Sequence, residues 1–278
     1  MFGDRGGRRA GLALLGALVI AGAAVGPVFA AAPGNDDIGG ATVVGGIPYT
    51  DGPLDTTEAT SGAGDPPFCY GGPGDSATVW YSFTADGSAR LQADTVGSDY
   101  DTTLYVGTPD GQGGISVIAC NDDTFGLQSA VVWDAVPGTT YLFVVGTCCG
   151  GAPGAGGGNL VFNLGVAPPP PSIDLTLSGN GSFTRNGAAI IRGTATCAGL
   201  PEAEVDVTVS QRVGRKVIRG GAFTLVACTG TAQAWTIEVP GFDGKFAGGQ
   251  AQVTLDSFGC GAVECASAHI DGTVRLRR

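Results

Sequence analysis

The sequence predicts an all-β protein: an N-terminal jelly-roll-type β-sandwich and a C-terminal immunoglobulin-like β-sandwich, joined by a Pro-rich linker. Short runs rich in β-branched and aromatic residues recur along the chain, and Gly, Pro, Asp and Asn lie between them. The 50 glycines among 278 residues supply many turns. No window shows the 3.6-residue period of an amphipathic helix, so we expect no long helix.

The first element is a predicted signal peptide, residues 1–30. Arg5, Arg8 and Arg9 form a basic start, an apolar run follows at 10–25, and Val28-Phe29-Ala30 is a plausible cleavage signal. The apolar run is too short to be a good membrane anchor. We therefore expect a secreted or cell-surface protein without stable membrane insertion.

The second element, residues 32–166, is the predicted jelly-roll-type sandwich. Seven strand-like runs share a β-branched and aromatic composition: 77–83, 89–93, 103–106, 115–119, 130–133, 140–145 and 159–164. Seven or eight strands at this spacing predict a sandwich or jelly roll. Residues 167–172 form the predicted linker, in which four consecutive prolines favour an extended spacer.

The last element, residues 173–278, is the predicted immunoglobulin-like sandwich. Its strand-like runs are 173–177, 190–197, 204–210, 222–228, 235–239, 251–255 and 269–276. Within 204–210 the valines alternate with polar residues, which is typical of a half-buried strand. Seven short strands in about 105 residues have the size and rhythm of an immunoglobulin domain.

Charge is distributed unevenly between the two predicted sandwiches. Residues 31–171 contain 15 acidic residues and one basic residue, Arg90, whereas residues 172–278 contain 9 acidic and 10 basic residues. Nucleic acid is disfavoured as a partner of the first part because phosphate contacts depend chiefly on Lys and Arg. A hard cation is a natural partner for such a surface, although acidity also keeps secreted proteins soluble.

Eight cysteines in an exported chain predict disulfides, four on each side of the linker: Cys69, Cys120, Cys148, Cys149, Cys197, Cys228, Cys260 and Cys265. In the first part, Cys69 and Cys120 either each reach one of the neighbours Cys148 and Cys149, or pair with each other and leave a vicinal pair. We favour the former because a vicinal bridge strains the peptide. In the second part we expect Cys197–Cys228 and Cys260–Cys265. Zinc is disfavoured, since the chain has one histidine and no regular C-x2-C pair.

Five motifs in order resemble the bacterial pre-peptidase C-terminal (PPC) domain over about residues 35–166. They are Asn35-Asp36-Asp37, the run 75–85, the run 98–105, Ala119-Cys120-Asn121-Asp122-Asp123 and the run 137–141. The resemblance implies a non-catalytic jelly roll that accompanies secreted enzymes, with calcium-, collagen- or carbohydrate-binding members. No peptidase domain accompanies it here. Residues 172–278 resemble uncharacterised immunoglobulin-like domains of secreted bacterial proteins, through 193–197 and the Cys260 and Cys265 region.

A calcium site is the candidate functional site. Asp99 and Asp101 lie on one side of an extended segment, and Asn121 and Asp122 follow a strand that could be its neighbour. Calcium takes 6–8 oxygen ligands from such residues. The resemblance adds the acidic N-terminal segment, which gives this candidate set: Asn35, Asp36, Asp99, Asp101, Asn121 and Asp122. The alternative is that these residues only cap backbone groups in turns.

Catalytic residues are not evident in the sequence. A Ser-His-Asp triad requires a histidine, and His269 alternates with Ala266, Ala268 and Ile270 so that it should face solvent. Disulfide formation would leave no cysteine nucleophile. A flat aromatic face is a further possibility for recognition, formed by Tyr70, Tyr100, Phe125 and Trp133, which lie in or near loops; such residues also serve as packing.

These observations favour a secreted, non-enzymatic binding module that is calcium-stabilised and recognises an extracellular polysaccharide or protein. One alternative is a structural or cell-surface spacer without a ligand. Another is an unrecognised secreted hydrolase. The sequence does not indicate an oligomeric state.

Overall fold

The computed structural model describes residues 1, 3, 31–69, 74–148 and 156–278. Residues 32–278 form one compact unit. The predicted signal peptide falls almost entirely outside the described residues, as do Tyr70 and Cys149. No helix in the described part of the chain is long and apolar enough to cross a membrane.

The N-terminal half is a two-sheet sandwich. A 3-10 turn at Ile38–Gly40 precedes nine strands: β1 Thr42–Val44, β2 Tyr49–Asp55, β3 Ser76–Thr84, β4 Ala89–Asp94, β5 Thr102–Pro109, β6 Ile115–Asn121, β7 Ala130–Ala135, β8 Thr140–Thr147 and β9 Asn159–Val166. One sheet has the order β1-β3-β8-β5-β6 and the other β2-β9-β4-β7. Without β1, these are the two four-stranded orders of a jelly roll, so the predicted fold is confirmed.

The two sheets enclose an aromatic core. Tyr81 stacks on Phe162 across the sandwich with ring centroids 4.2 Å apart, and Phe143 contacts both Phe162 and Trp133. The β3-β8-β5 sheet is also covered on its other side, where Trp80 and Tyr105 are buried. Because both faces of this sheet are covered, the residues of β3 and β8 are buried almost throughout rather than alternately.

The C-terminal half contains eight strands: β10 Ser172–Leu177, β11 Asn180–Phe183, β12 Ala189–Ala198, β13 Glu202–Val213, β14 Lys216–Ala227, β15 Gln233–Val239, β16 Gly249–Cys260 and β17 Cys265–Arg277. One layer is β10-β12-β15, and the other is β11-β17-β16-β13-β14. Strand β11 pairs with β12 and also, in parallel, with β17, which joins the layers. This arrangement is that of an immunoglobulin-like sandwich, as predicted.

Strict alternation builds the second core. Val205, Val207 and Val209 of β13 are buried, whereas Asp206 and Thr208 between them are exposed. Strands β16 and β17 repeat the same in-out pattern. The side chains that point inward from these strands therefore form the second core.

An ion pair connects the two halves. The Arg90 guanidinium of β4 forms an ion pair with Glu264, in the turn between β16 and β17, and a longer one of 3.8 Å with Asp134. Ala167 donates its N–H to the Arg90 carbonyl oxygen at 2.9 Å, so the chain leaves β9 still attached to the first sandwich. The one basic residue of the acidic half thus lies at the junction with the second sandwich.

The disulfides correct one prediction. Cys69 pairs with Cys120, so the favoured pairing of each with Cys148 or Cys149 is wrong. Cys120 lies beside Tyr105 on the outer side of its sheet, and Cys69 belongs to the segment that covers that side. Cys148 is also disulfide-bonded. The predicted pairs Cys197–Cys228 and Cys260–Cys265 are confirmed.

Candidate metal-binding site

Three strand ends meet at one edge of the β3-β8-β5-β6 sheet. Asp101 immediately precedes β5, Asp122 follows β6 and Cys148 follows β8. Because β6 and β8 both run antiparallel to β5, the start of β5 lies beside their ends. The nearest carboxylate oxygens of Asp101 and Asp122 and the sulfur of Cys148 consequently lie within 4.8 Å of one another.

The two carboxylates are in an environment that disfavours their charge. Asp122 is 7% exposed. Burial, followed by the nearby charges of Asp123, Asp101 and Asp75, raises the pKa of Asp122 to about 6. Burial and Asp123 also raise the pKa of Asp101. The Asp101 Oδ1 atom is buried and makes no hydrogen bond within the described chain.

The sulfur in this cluster is not a thiolate. Cys148 is disulfide-bonded, so its Sγ, which lies 3.2 Å from Asp122 Oδ2, carries no negative charge. A metal ion held here would therefore be bound by carboxylate oxygens, with main-chain oxygens or water completing its shell. Oxygen-only coordination suits a hard cation such as Ca²⁺ rather than zinc.

Buried hydroxyl groups fix the loops that carry the acids. The Thr95 and Thr102 hydroxyl oxygens are 2.6 Å apart, and Ser129 donates its N–H to Thr95 Oγ1 at 2.9 Å. The Ser129 hydroxyl lies 2.5 Å from the main-chain oxygens of both Thr102 and Asp122. All these hydroxyl residues are buried, so the loops at this edge are held in one arrangement.

Four of the six predicted ligands make other contacts. Asn35 Nδ2 donates to the Trp80 carbonyl oxygen at 3.1 Å, and Asp36 accepts from the N–H and hydroxyl of Thr60. Asp99 accepts two hydrogen bonds of 2.8 Å from Asn159.

Asn121 Oδ1 accepts from Thr124 Oγ1 and from the Ala130 N–H. The contacts of Asn121 are local, as the alternative prediction describes, whereas those of Asn35, Asp36 and Asp99 join segments that are distant in sequence. Asp101 and Asp122 are the two members of the predicted set that come together.

Asp75 is a further acid that sequence reasoning did not select. Its Oδ2 accepts hydrogen bonds from the hydroxyls of Thr103 at 2.6 Å and Tyr105 at 2.5 Å. Burial raises its pKa, and its charge contributes to the raised pKa of Asp122. Its position directly before β3 was the available signal, since the other acids at this edge also flank strands.

The predicted aromatic face is wrong for two of its four residues. Tyr100 and Trp133 are buried in the first core, where Trp133 packs against Phe143 and Tyr141. Phe125 is exposed. Tyr70 lies outside the described residues.

His269 faces solvent, as predicted. Its Nδ1 is 2.7 Å from Asp256 Oδ1 and its Nε2 is 3.3 Å from Asp271 Oδ2. The hydrogen bond to Asp256, with that to Asp271, raises its pKa. Both ring nitrogens are engaged by carboxylates on an open sheet surface.

Comparison with known proteins adds little. No protein-family model and no curated protein matches the sequence. A glycosyl hydrolase family 2 member from Bacteroides cellulosilyticus is 14% identical, covering 70% of this chain and 26% of that one, with a TM-score of 0.24. A putative beta-galactosidase from Bacteroides fragilis is 12% identical, with coverages of 70% and 32% and a TM-score of 0.23.

A beta-glucuronidase from Parabacteroides merdae is likewise 12% identical, covering 72% of this chain and 28% of that one, with a TM-score of 0.24. The chain thus spans about a third or less of the length of these structures. TM-scores this low carry no argument about fold or function. The resemblance to PPC domains stays a prediction.

Proposed function

We propose that this protein is a secreted, non-catalytic binding module, stabilised by calcium and recognising an extracellular polymer at the acidic edge of its jelly roll. The observation that carries the proposal is the convergence of the Asp101 and Asp122 carboxylates. A pair of acids with raised pKa values, Asp122 buried and Asp101 half-buried, is a poor arrangement for stability alone, since like charges disfavour each other. A bound cation would remove that repulsion.

The donor set suits calcium. Two carboxylates can supply up to four oxygens of the 6–8 that calcium takes, and main-chain carbonyls or water can supply the rest. The buried Asp101 Oδ1, which makes no hydrogen bond in the described chain, is available as a ligand atom. Bound calcium would supply positive charge and cross-link the ends of β5 and β6.

The two loops next to this acidic edge carry exposed apolar side chains. Val96, Phe125 and Leu127 are exposed on the two loops that flank the site; we call them the loop-end patch. Thr102 donates its N–H to the Leu127 carbonyl oxygen at 2.9 Å, and Gln128 Nε2 donates to the Ser98 carbonyl oxygen at 3.2 Å. The loops are therefore joined, and an ordered patch can contact sugar rings or peptide side chains with little loss of entropy on binding.

Several features support export and a non-catalytic role. The basic and apolar start of the chain and its disulfides suit an oxidising compartment. The jelly-roll strand order agrees with the fold that the PPC resemblance implies. The single histidine is held between two carboxylates on an open surface, which does not suit a general base in a cleft.

Thermal unfolding tests the calcium site. Millimolar calcium should raise the melting temperature of the wild-type protein after treatment with a chelator, and Asp101→Asn should abolish the rise. Asp134→Asn, an exposed acid distant in sequence from the site, is the control and should retain it. No calcium-dependent shift in the wild-type protein would refute the site.

Polymer pull-down tests recognition. Binding to a panel of polysaccharides and to collagen should weaken in Leu127→Asp, which adds charge to the loop-end patch, and in chelator. A calcium shift without retention on any polymer would favour the spacer alternative. Hydrolysis of a broad substrate panel that is lost in Asp101→Asn would instead support the hydrolase alternative.

A further inference from the structure

The exposed side of the β17-β16-β13-β14 layer, which we call the outer face, carries large apolar side chains. Phe223 and Leu225 of β14 are 63% and 53% exposed, and Phe258 of β16 is 57% exposed. Val217, at the other end of β14, is also exposed. Grouped apolar side chains on a regular sheet surface are typical of an interaction site.

Charges on the outer face are separated along the strands. The register aligns Leu225, Glu204, Phe258 and Ser267 in one cross-strand row, and Phe223, Asp206, Asp256 and His269 in the next. Rows at the opposite end contain three exposed arginines: Arg219, Arg212 and Arg275. The face is therefore acidic at one end and basic at the other.

We propose that the outer face binds the outer face of a second copy of this chain, with the strands of the two copies antiparallel. A two-fold dimer uses the same patch on both subunits, so the patch must complement itself. A two-fold axis parallel to the strands would place the acidic end of one copy against the acidic end of the other. An axis across the strands places the acidic end of each copy on the basic end of the other.

Most row positions then match in chemistry as well as in charge; the exception is Asp271, which is in the central row and faces its own symmetry copy. Glu204 of one copy lies over Arg212 of the other, since the two residues are equally distant from the central row of Gly221 and Thr208. By the same symmetry Phe223 lies over Arg219, a cation–π pair, and Leu225 lies over Val217. Each contact occurs twice in the dimer.

Two acidic side chains of the outer face, Glu204 and Asp206, lie close enough to repel each other, and a basic partner would relieve this repulsion. A hydrogen bond to Asp206 raises the pKa of Glu204, and the charge of Asp206 adds to the shift. The two side chains share the outer face two residues apart on β13. An arginine from a second copy would lie against both.

The size of the face predicts a weak dimer. Four strands about 4.8 Å apart and a length of eight residues give roughly 19 by 27 Å, or about 500 Å² per copy. The total of about 1,000 Å² is at the lower limit for a specific interface. We expect a reversible dimer that high salt weakens, because its ion pairs are exposed.

Sedimentation velocity over a concentration series tests the proposal. The wild-type protein should shift from monomer to dimer with rising concentration, and the dissociation constant should rise in high salt. A protein that stays monomeric at every concentration, or an assembly larger than a dimer, would overturn the proposal. So would a dimer indifferent to salt.

Charge reversal identifies the face. Glu204→Arg with Asp206→Arg makes the face basic throughout, and Arg212→Glu with Arg219→Glu makes it acidic. Each double variant should raise the dissociation constant about tenfold or more, whereas an equimolar mixture should restore a dimer containing one copy of each. A mixture that stays monomeric would contradict the antiparallel arrangement.

Two variants on the opposite layer serve as controls. Arg192 of β12 and Glu238 of β15 are exposed there, so Arg192→Glu and Glu238→Arg should leave dimerisation unchanged. All these positions are on the surface, so the substitutions should preserve the fold. The thermal unfolding transition of each variant checks this. If a charge-reversed variant unfolds, Phe223→Ser should weaken the dimer instead, and unchanged dimerisation would overturn the proposal.

Discussion

Replacing Asp122 by asparagine should stabilise the metal-free protein at neutral pH. The folded-state pKa of Asp122, about 6, exceeds the ordinary aspartate value, so the charged form is less favourable in the folded state than in the unfolded state. At pH 7 Asp122 is deprotonated in both the folded and the unfolded state, so the full free-energy cost of its charge destabilises the folded state. Below about pH 4 Asp122 is protonated in both states, and this cost disappears. Stability should therefore fall as pH rises from about 4 to about 6.

The magnitude follows from the shift. Two pKa units at about 1.4 kcal/mol each give on the order of 2–3 kcal/mol. Asp122→Asn keeps the shape of the side chain and removes the charge, so this amount should be recovered at pH 7. At roughly 2–4 °C per kcal/mol for a chain of this length, the melting temperature should rise by about 5–10 °C.

Calorimetry with chelator present, at pH 7 and again near pH 4, measures the effect. The variant and the wild-type protein should differ at pH 7 and converge near pH 4. Asp123→Asn, the exposed neighbour, should give a smaller gain because it removes only a nearby charge. A lower melting temperature for Asp122→Asn at pH 7, or the same difference at both pH values, would refute the reasoning.

Three further predictions concern other parts of the molecule. Replacing Cys69 and Cys120 by serine opens a loop with a sequence separation of 51. The free energy of unfolding, measured in urea, should fall by about 4 kcal/mol. A loss below about 1 kcal/mol would contradict the pairing. His269, the only histidine, should titrate above its ordinary pKa in NMR spectra. Asp256→Asn should lower that pKa because it removes the negative charge 2.7 Å from the ring nitrogen; an unchanged value would contradict the contact. Gly52→Ala should lower the melting temperature, because Gly52 has φ 112° and a Cβ there would collide with a carbonyl oxygen of β9. A variant as stable as the wild-type protein would show that the backbone can move.

Most strands could be predicted from the sequence because their composition is distinctive. The fourteen predicted runs correspond to strands β3–β10 and β12–β17. Three short or irregular strands were missed. In β2, Gly52 and Pro53 suggest a turn, whereas they form a bulge in an edge strand, where a missing N–H is tolerated.

Strands β1 and β11 could not be predicted for a different reason. They have three and four residues, and each makes a parallel pair with a strand distant in sequence. Such pairing depends on tertiary contacts rather than on local preference. The sheet orders likewise follow from packing, although the number and spacing of strands were enough to suggest both sandwich types.

The candidate site could be predicted only in part. Asp101 and Asp122 come together because they flank neighbouring strands, which the sequence suggests once the strands are placed. Asp75 joins the same electrostatic environment because only β8 separates β3 from β5 in the sheet, and that order is not visible in the sequence. Tyr100 was assigned to a surface loop but is buried, since a loop position does not determine the direction of a side chain.

The parallel pairing of β11 with β17 has a mechanical consequence. The register aligns β11 residues with β17 residues: Asn180, Gly181 and Ser182 with Arg275, Leu276 and Arg277. These residues are close in sequence to the beginning and the end of the segment that forms the C-terminal sandwich. A pulling force applied between Ser172 and Arg277 would drag these two strands past each other along their length. Their hydrogen bonds would then be loaded together in shear rather than opened one after another, so this sandwich should resist stretching better than a hairpin that can be unzipped from its end.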